Sequence, residues 1–330
     1  MMPDPLLEIE DLHVTFRGAQ GPREVLSAVG MSVGSGEIVG VVGESGSGKS
    51  VTALAVMRLL GAQGEISRGS IRFDGIDLPR LAKPAMRDLR GRQIAMVFQE
   101  PMTSLNPLLT VGFQIAEVLR EKLHLPTGEA RRRAIALLER VGISAPVMRY
   151  GDYPTALSGG MRQRVMIAMA LACTPRLLLA DEPTTALDVT IQAQILDMMT
   201  TLRRQEGTAI LLITHDMGVI ARMAERVVVM YAGEVVETAP VRALFDEPGH
   251  PYTRLLMAAT PTVRRRASTL PSIPGTMPAP HAMPAGCRFH PRCPMAIEPC
   301  RNTQPALRAL APSRLVRCHR AEELLAGQAA

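Results

Sequence analysis

The stretch Gly43-Glu44-Ser45-Gly46-Ser47-Gly48-Lys49-Ser50 decides how this sequence of 330 residues folds. It fits the pattern G-x-x-x-x-G-K-[ST], with a β-branched run, EIVGVV, before it and an apolar-periodic segment, SVTALAVMRLLG, after it. Glycines let a backbone wrap closely round an anion, so that the N–H groups of the loop and the first helical turn converge on a phosphate. Gly43, Ser45, Gly46 and Gly48 supply that cradle, Lys49 reaches the β- and γ-phosphates of a nucleotide, and Ser50 ligates Mg²⁺. The chain has only three lysines, Lys49, Lys83 and Lys122, so a lysine at this position is the more telling. The bland reading, a glycine-rich turn with an incidental lysine, loses weight because both the strand and the helix are in place.

Outward from the loop, residues 6–42 read as short strands, the last a continuous apolar run suited to a buried parallel strand. The segment after the loop reads as a helix ending at Gly61, followed by a strand in GSIRFDGIDL. From about 85 to 164 the apolar spacing in QIAEVLREKL and EARRRAIALLERVG predicts an inserted helical subdomain. Helix and strand signals then alternate through MRQRVMIAMALA, RLLLADEP, VTIQAQILDMMTTLRRQ, TAILLITHD, MGVIARMAER and VVVMYAGEVVE. That alternation argues for an α/β fold with a parallel sheet covered on both faces. Residues 1–238 are taken as this unit and 239–330 as an appendage. Eight prolines between Pro271 and Pro299 predict little regular structure there.

RLLLADEP delivers two adjacent carboxylates to the tip of a buried strand, where neighbours face different ways and can take different roles. Asp181 holds Mg²⁺ through water and Glu182 is the general base that orients the attacking water. Without the glycine loop the same pair would read as a solvated acidic turn before Pro183.

LSGGMRQR, residues 157–164, resembles the signature of ATP-binding-cassette (ABC) proteins. The resemblance implies a P-loop NTPase core with an antiparallel β subdomain and an inserted helical subdomain. It also implies ATP hydrolysis, with Ser158, Gly159 and Gly160 binding the γ-phosphate of ATP held by an opposite subunit. Other family elements match in order. Phe16 resembles the aromatic that stacks on adenine, Gln99 the glutamine that senses Mg²⁺ and water, Asp188 the dimer-contact loop and His215 the switch histidine on the γ-phosphate. Met161 replaces the usual glutamine, and Val51 stands where many relatives have a threonine, which removes one hydroxyl contact to phosphate.

FDEPGHPYTRLLMAATP and IPGTMP…AGCRFHPRCP resemble the C-terminal region of motor subunits from oligopeptide, dipeptide and nickel importers. That branch implies a homologous second ATPase subunit, two membrane permease subunits, a solute-binding protein acting indirectly, and a place on the cytoplasmic face of the membrane. Cys287, Cys293, Cys300 and Cys318 resemble the ligands of a [4Fe–4S] cluster found in some of these subunits. Four thiolates could equally hold Zn²⁺, with His290 and His319 as competing donors. On this reading the appendage is proline-rich and metal-binding.

Composition narrows the classes. The longest apolar runs span only a few residues, against the ~20 of a membrane-spanning helix. The net charge of +6 is concentrated in the tail, where residues 261–330 carry ten Arg against three Glu. With 3% aromatics and no Trp there is little to stack on bases, so nucleic acid is not expected as a partner. A soluble cassette ATPase of repair, translation or cluster assembly is the alternative, although the importer-type tail counts against it.

Overall fold

The computed structural model describes residues 5–18, 21–100, 104–185, 187–260 and 272–326, excepting the side chain of residue 202. In chain order, β1 (Leu7–Gly18) and β2 (Gly21–Val33) precede β3 (Ile38–Val42), which leads through the glycine loop into α1 (Lys49–Val56). Next come β4 (Gly64–Phe73), β5 (Ile76–Asp77), α2 (Lys83–Arg92) and β6 (Ile94–Val97). Helices α3 (Val111–Leu123), α4 (Thr127–Arg140), α5 (Pro146–Arg149) and α6 (Gly159–Leu171) follow. Then β7 (Leu177–Asp181), α7 (Val189–Glu206), β8 (Ala209–Ile213), α8 (Met217–Met223) and β9 (Arg226–Tyr231) alternate before β10 (Glu234–Pro240). The remainder holds α9 (Val241–Asp246), α10 (Pro251–Ala258), α11 (Glu298–Asn302), β11 (Arg308–Ala311), β12 (Arg314–Val316) and α12 (Ala321–Ala326).

These elements form two compact units. One comprises chiefly Val33–Glu37 and Arg80–Ile213. Its strands run β6-β7-β8, all parallel, and every residue of β6, β7 and β8 is buried. Burial on both faces is why these strands read as unbroken apolar runs rather than alternating ones. Beside them α3, α4 and α6 share a core of Val111, Ile115, Leu119, Ala134, Leu138 and Val165. The helices start where the sequence caps them: Thr110 accepts from Phe113 N–H, Ser158 from Met161 N–H and Asp188 from Ile191 N–H. Gly207, at φ 68°, closes α7 in the left-handed conformation that glycine adopts without a Cβ clash.

The other unit comprises Leu7–Ser32, Ile38–Pro79 and the chain from Thr214 onward. One sheet has the order β2-β1-β4-β5, with β1 and β4 antiparallel, as the antiparallel subdomain requires. A second run has the order β3-β9-β10-β12-β11, parallel between β3 and β9 and antiparallel beyond.

Several expectations change. The helix after the glycine loop stops at Val56, not Gly61, because Met57 N–H caps the last turn and Arg58 turns left-handed at φ 51°. The 85–164 span, expected to be mainly helical, also holds β6, a four-residue strand too short to show a period. VVVMYAGEVVE is two strands, not one, joined by Ala232 and Gly233 at φ 47° and 83°, with Tyr231 paired to Glu234. Two central residues at positive φ make the primed turn that suits a two-residue hairpin. The boundary expected at 238/239 falls within β10. Between residues 272 and 299 regular structure is sparse, as the prolines predict, but beyond it β12 pairs with β10 and the apolar residues Val316, Cys318, Ala321 and Leu324 pack into a core of their own.

Candidate active site

In the unit that holds it, the glycine loop follows β3 directly and its glycines are sterically compelled. Gly43 has φ 154°, and a Cβ there would sit 2.2 Å from the Met230 carbonyl oxygen. Gly48, at φ 102°, would place one 2.4 Å from the Leu26 Cδ2 methyl. Ser47, Gly48 and Lys49 are buried, while Ser45 and Gly46 are exposed. Lys49 Nζ donates to the carbonyls of Gly43 at 2.8 Å and Glu44 at 2.9 Å, so its cationic end is held over the mouth of its own loop. Ser50 and Val51 occupy the first turn of α1, and Thr52 Oγ1 donates to Gly48 O at 3.0 Å. Phe16 is half-buried on β1 opposite Gly64, and only the absence of a Cβ on Gly64 admits its ring, which would stand 2.8 Å from one. His215 is exposed, just before α8, whose first turn is capped by the Asp216 carboxylate.

In the other unit, β7 ends on Asp181, which is buried, and the next residue leaves the strand with a reversal of backbone hand. Glu182 has φ 45°, rare for a residue with a Cβ and costing about 1–3 kcal/mol. Glu182 N–H remains tied to Ile213 O at 2.9 Å, and its carboxylate accepts from Gln99 Nε2 at 3.1 Å and Thr185 Oγ1 at 2.7 Å. Gln99 and Glu182, named separately from sequence, are thus brought together; Thr185 was not foreseen, because a threonine three residues after an acid carries no distinguishing signal. Ser158, Gly159 and Gly160 form the start of α6 with Ser158 and Gly159 exposed. A Cβ on Gly160 would meet Ile191 Cγ2 at 3.0 Å, so the start of α6 lies against α7, which Asp188 caps. Gln163 Nε2 donates to Pro183 O at 2.6 Å, fastening α6 to the turn that carries Glu182.

Sequence reading also missed a group of partners round the glycine loop. Tyr252 accepts from Glu44 N–H at 2.8 Å, and Arg292 donates to the Glu44 carboxylate at 3.0 Å. These partners lie 208 and 248 residues away in sequence, beyond the reach of any local pattern. Tyr231, Tyr252 and Phe289 stack with centroids 4.7–5.4 Å apart. His250, 1% exposed, joins them, its Nδ1 accepting from Tyr252 N–H at the start of α10. Burial drives its imidazole down to about 3. Burial is also the main cause that raises the Cys287 thiol to about 12 and the Cys318 thiol to about 11, with the neighbouring cysteines adding to it. Among the described residues no three His, Cys, Asp or Glu side chains form a group able to hold a metal ion. The four cysteines, Cys287, Cys293, Cys300 and Cys318, therefore make no single-ion group of that kind.

Residues 26–185 match the family model described as ABC transporter, and residues 236–300 match the one described as oligopeptide/dipeptide transporter, C-terminal region. The dipeptide transport ATP-binding protein DppD of Escherichia coli is 48% identical over 95% of this chain and 96% of its own. This chain belongs to the ABC transporter ATPases. A second relative of this cassette ATPase, the oligopeptide transport ATP-binding protein AppD of Bacillus subtilis, is 49% identical over 96% of the chain and 97% of its own. Among solved structures, the ATP-binding cassette MJ0796, in a dimeric post-hydrolysis state bound to ADP and Pi, superposes with TM-score 0.65. It is 29% identical, covering 72% of this chain and 99% of that one. The ATPase fold and ATP as its nucleotide follow from membership. None of the helices among the described residues is long and apolar enough to cross a membrane.

Proposed function

We propose that this ATPase is the motor subunit of a peptide importer, driving uptake of dipeptides or oligopeptides through separate permease subunits on the cytoplasmic side of the membrane. The observation that carries this is the pairing of a cassette with the oligopeptide/dipeptide-type C-terminal region in one chain, a pairing that runs through relatives nearly half identical over their whole length. A repair, translation or assembly ATPase is not favoured by any relative named above. The chain works as one of two cassettes, the second a homologous subunit, with a solute-binding protein delivering the peptide.

Within that reading Gly43, Ser45, Gly46, Gly48 and Lys49 cradle the phosphates, Ser50 and Asp181 hold Mg²⁺, and Phe16 stacks on the adenine. Gln99 positions Glu182, the general base, and His215 contacts the γ-phosphate. Ser158, Gly159 and Gly160, with Asp188 nearby, serve the partner's nucleotide. The hydrogen bond from Gln99 to Glu182 supports this pairing of roles. Residues 1–238 act as the nucleotide-binding part, with 85–164 inserted, and 239–330 as the importer-type extension.

Cys287, Cys293, Cys300 and Cys318 are assigned to a [4Fe–4S] cluster rather than to zinc. Cys287 N–H bonds Cys300 O at 2.9 Å, and the thiols lie close enough to perturb one another, while no compact single-ion site exists among the described residues. Ligands of a four-iron cluster each bind a different iron and stand further apart than ligands of one ion. Such a group would supply fixed structure here; no step of hydrolysis passes through it.

The test is the assembled transporter in vesicles. Peptide-loaded binding protein should stimulate ATP hydrolysis, and Glu182→Gln should reduce turnover at least about a thousandfold while ATP stays bound. Stimulation by a non-peptide solute alone would refute the cargo class. Undiminished turnover in the variant would remove Glu182 as base.

A further inference from the structure

The second residue of the phosphate loop is an acid, which is electrostatically the wrong charge beside a polyphosphate. The structure deals with it from the far end of the chain. Glu44 Oε2 accepts from Arg292 Nη1 at 3.0 Å, and the arginine side chain is only 6% exposed against 27% for the glutamate. Arg292 is itself fixed: its Nε donates to Pro274 O at 2.7 Å, its Nη1 also reaches Tyr231 Oη at 3.3 Å, and its guanidinium lies 5.7 Å from the Tyr231 ring centre. The glutamate's other oxygen is buried without a partner among the described atoms, so the ion pair is its principal compensation. The backbone of the same residue is held as well, since Glu44 N–H is spent on the fully buried Tyr252. The Met277 methyl would stand 3.0 Å from a Cβ on Gly46. The C-terminal segment thus grips the loop at Glu44 through side chain and main chain, and leans on it at Gly46.

We propose that Arg292 is a positioning residue for ATP binding: it neutralises Glu44 and, with Tyr252, holds the phosphate loop in its binding shape, so that the importer-type extension sets nucleotide affinity. The proposal rests on the reading of Gly43–Ser50 as the phosphate cradle. An uncompensated carboxylate at Glu44 repels the phosphates that the loop collects, and a free guanidinium attracts them. Arg292 acts through Glu44 rather than on the reacting atoms, so its loss acts on binding and leaves the chemical step alone.

The experiment is an equilibrium titration of Mg·ATP into the full-length chain, with steady-state hydrolysis by the assembled transporter. Arg292→Gln should weaken ATP binding about tenfold and raise KM, with kcat within about twofold. Raising the salt should shrink that penalty, because the repulsion is screened. Glu44→Gln alone should tighten binding about two- to threefold, leaving the arginine's charge for the nucleotide. The double variant should recover most of the tenfold loss, which a merely structural role for Arg292 would not allow. Unchanged affinity in Arg292→Gln, or a double variant no better than the single, overturns the proposal. Should Arg292→Gln fail to fold, Glu44→Gln decides, since a loss of affinity there contradicts it. A parent chain that binds no ATP refutes the loop reading instead.

Discussion

His250 should make this protein unstable to mild acid in a way one substitution can isolate. The imidazole is 1% exposed, and burial lowers it from 6.5 to about 3. Its Nδ1 accepts from Tyr252 N–H at 3.0 Å, so protonation there forfeits the cap of α10 as well as placing a charge among Tyr252 and Phe289. The charged groups facing it do not rescue the cation. Burial outweighs the Arg317 main-chain hydrogen bond that favours the cation, the Arg317 guanidinium opposes it, and Glu237 already accepts from the Gly249 and His250 N–H groups at 2.7 and 2.9 Å and approaches Arg314. The folded value lies below the unfolded one, so the unfolded chain binds the proton first as pH falls. Stability from a neutral His250 is complete above about pH 6.5 and is lost between there and about pH 3, at about 1.4 kcal/mol per unit.

By pH 5 the loss is about 2 kcal/mol. His250→Asn keeps a capping side chain but gives up the ring, which lies 5.8 Å from Phe289, and should cost about 1–2 kcal/mol at neutral pH. Urea unfolding of parent and variant from about pH 7.5 down to 5 should therefore show the variant less stable at the start and the gap closing near pH 5. Carboxylates titrating over that range are common to both chains and cancel in the difference. A gap that stays constant with pH would mean that His250 titrates normally, and the argument from its burial would fail.

Gly43→Ala forces a Cβ to 2.2 Å from the Met230 carbonyl, and it should abolish ATP binding and destabilise the unit by about 2–4 kcal/mol, measurable by nucleotide titration and thermal unfolding. An alanine variant that binds ATP would show that the loop relaxes more easily than this contact allows. Anaerobic purification should yield a coloured chain whose visible absorbance disappears in Cys293→Ser or Cys300→Ser. A colourless protein with stoichiometric zinc would exclude the cluster.

The elements most legible in the sequence were those with a buried, two-faced environment. RLLLADEP and TAILLITHD announce strands because nothing polar can be placed within them, and both strands form where expected. Glycines of the loop were legible for the same reason, since each occupies space a side chain would need. What stayed hidden was short or distant. β6 has too few residues to reveal a period, and the hairpin at Ala232-Gly233 lacks the Asn-Gly or Asp-Gly pair that advertises a primed turn. The left-handed backbone of Glu182 follows no local preference of glutamate and is imposed by the Ile213 carbonyl and its neighbours. Arg292 read as one more basic residue in an arginine-rich tail, because only the folded chain brings it to Glu44.

The pairing of β12 with β10 bears on where this chain can be cut. Every residue of β10 except Pro240 is buried, and its outer hydrogen-bonding edge is occupied by β12, some 80 residues later. Severed before residue 300, the sheet would end on a bare edge whose N–H and C=O groups invite another strand, with Glu237 losing its cover and its Arg314 partner, and such edges are where chains aggregate. The extension is therefore the selvedge of the sheet as well as its neighbour, and in this chain the cassette does not finish its own border.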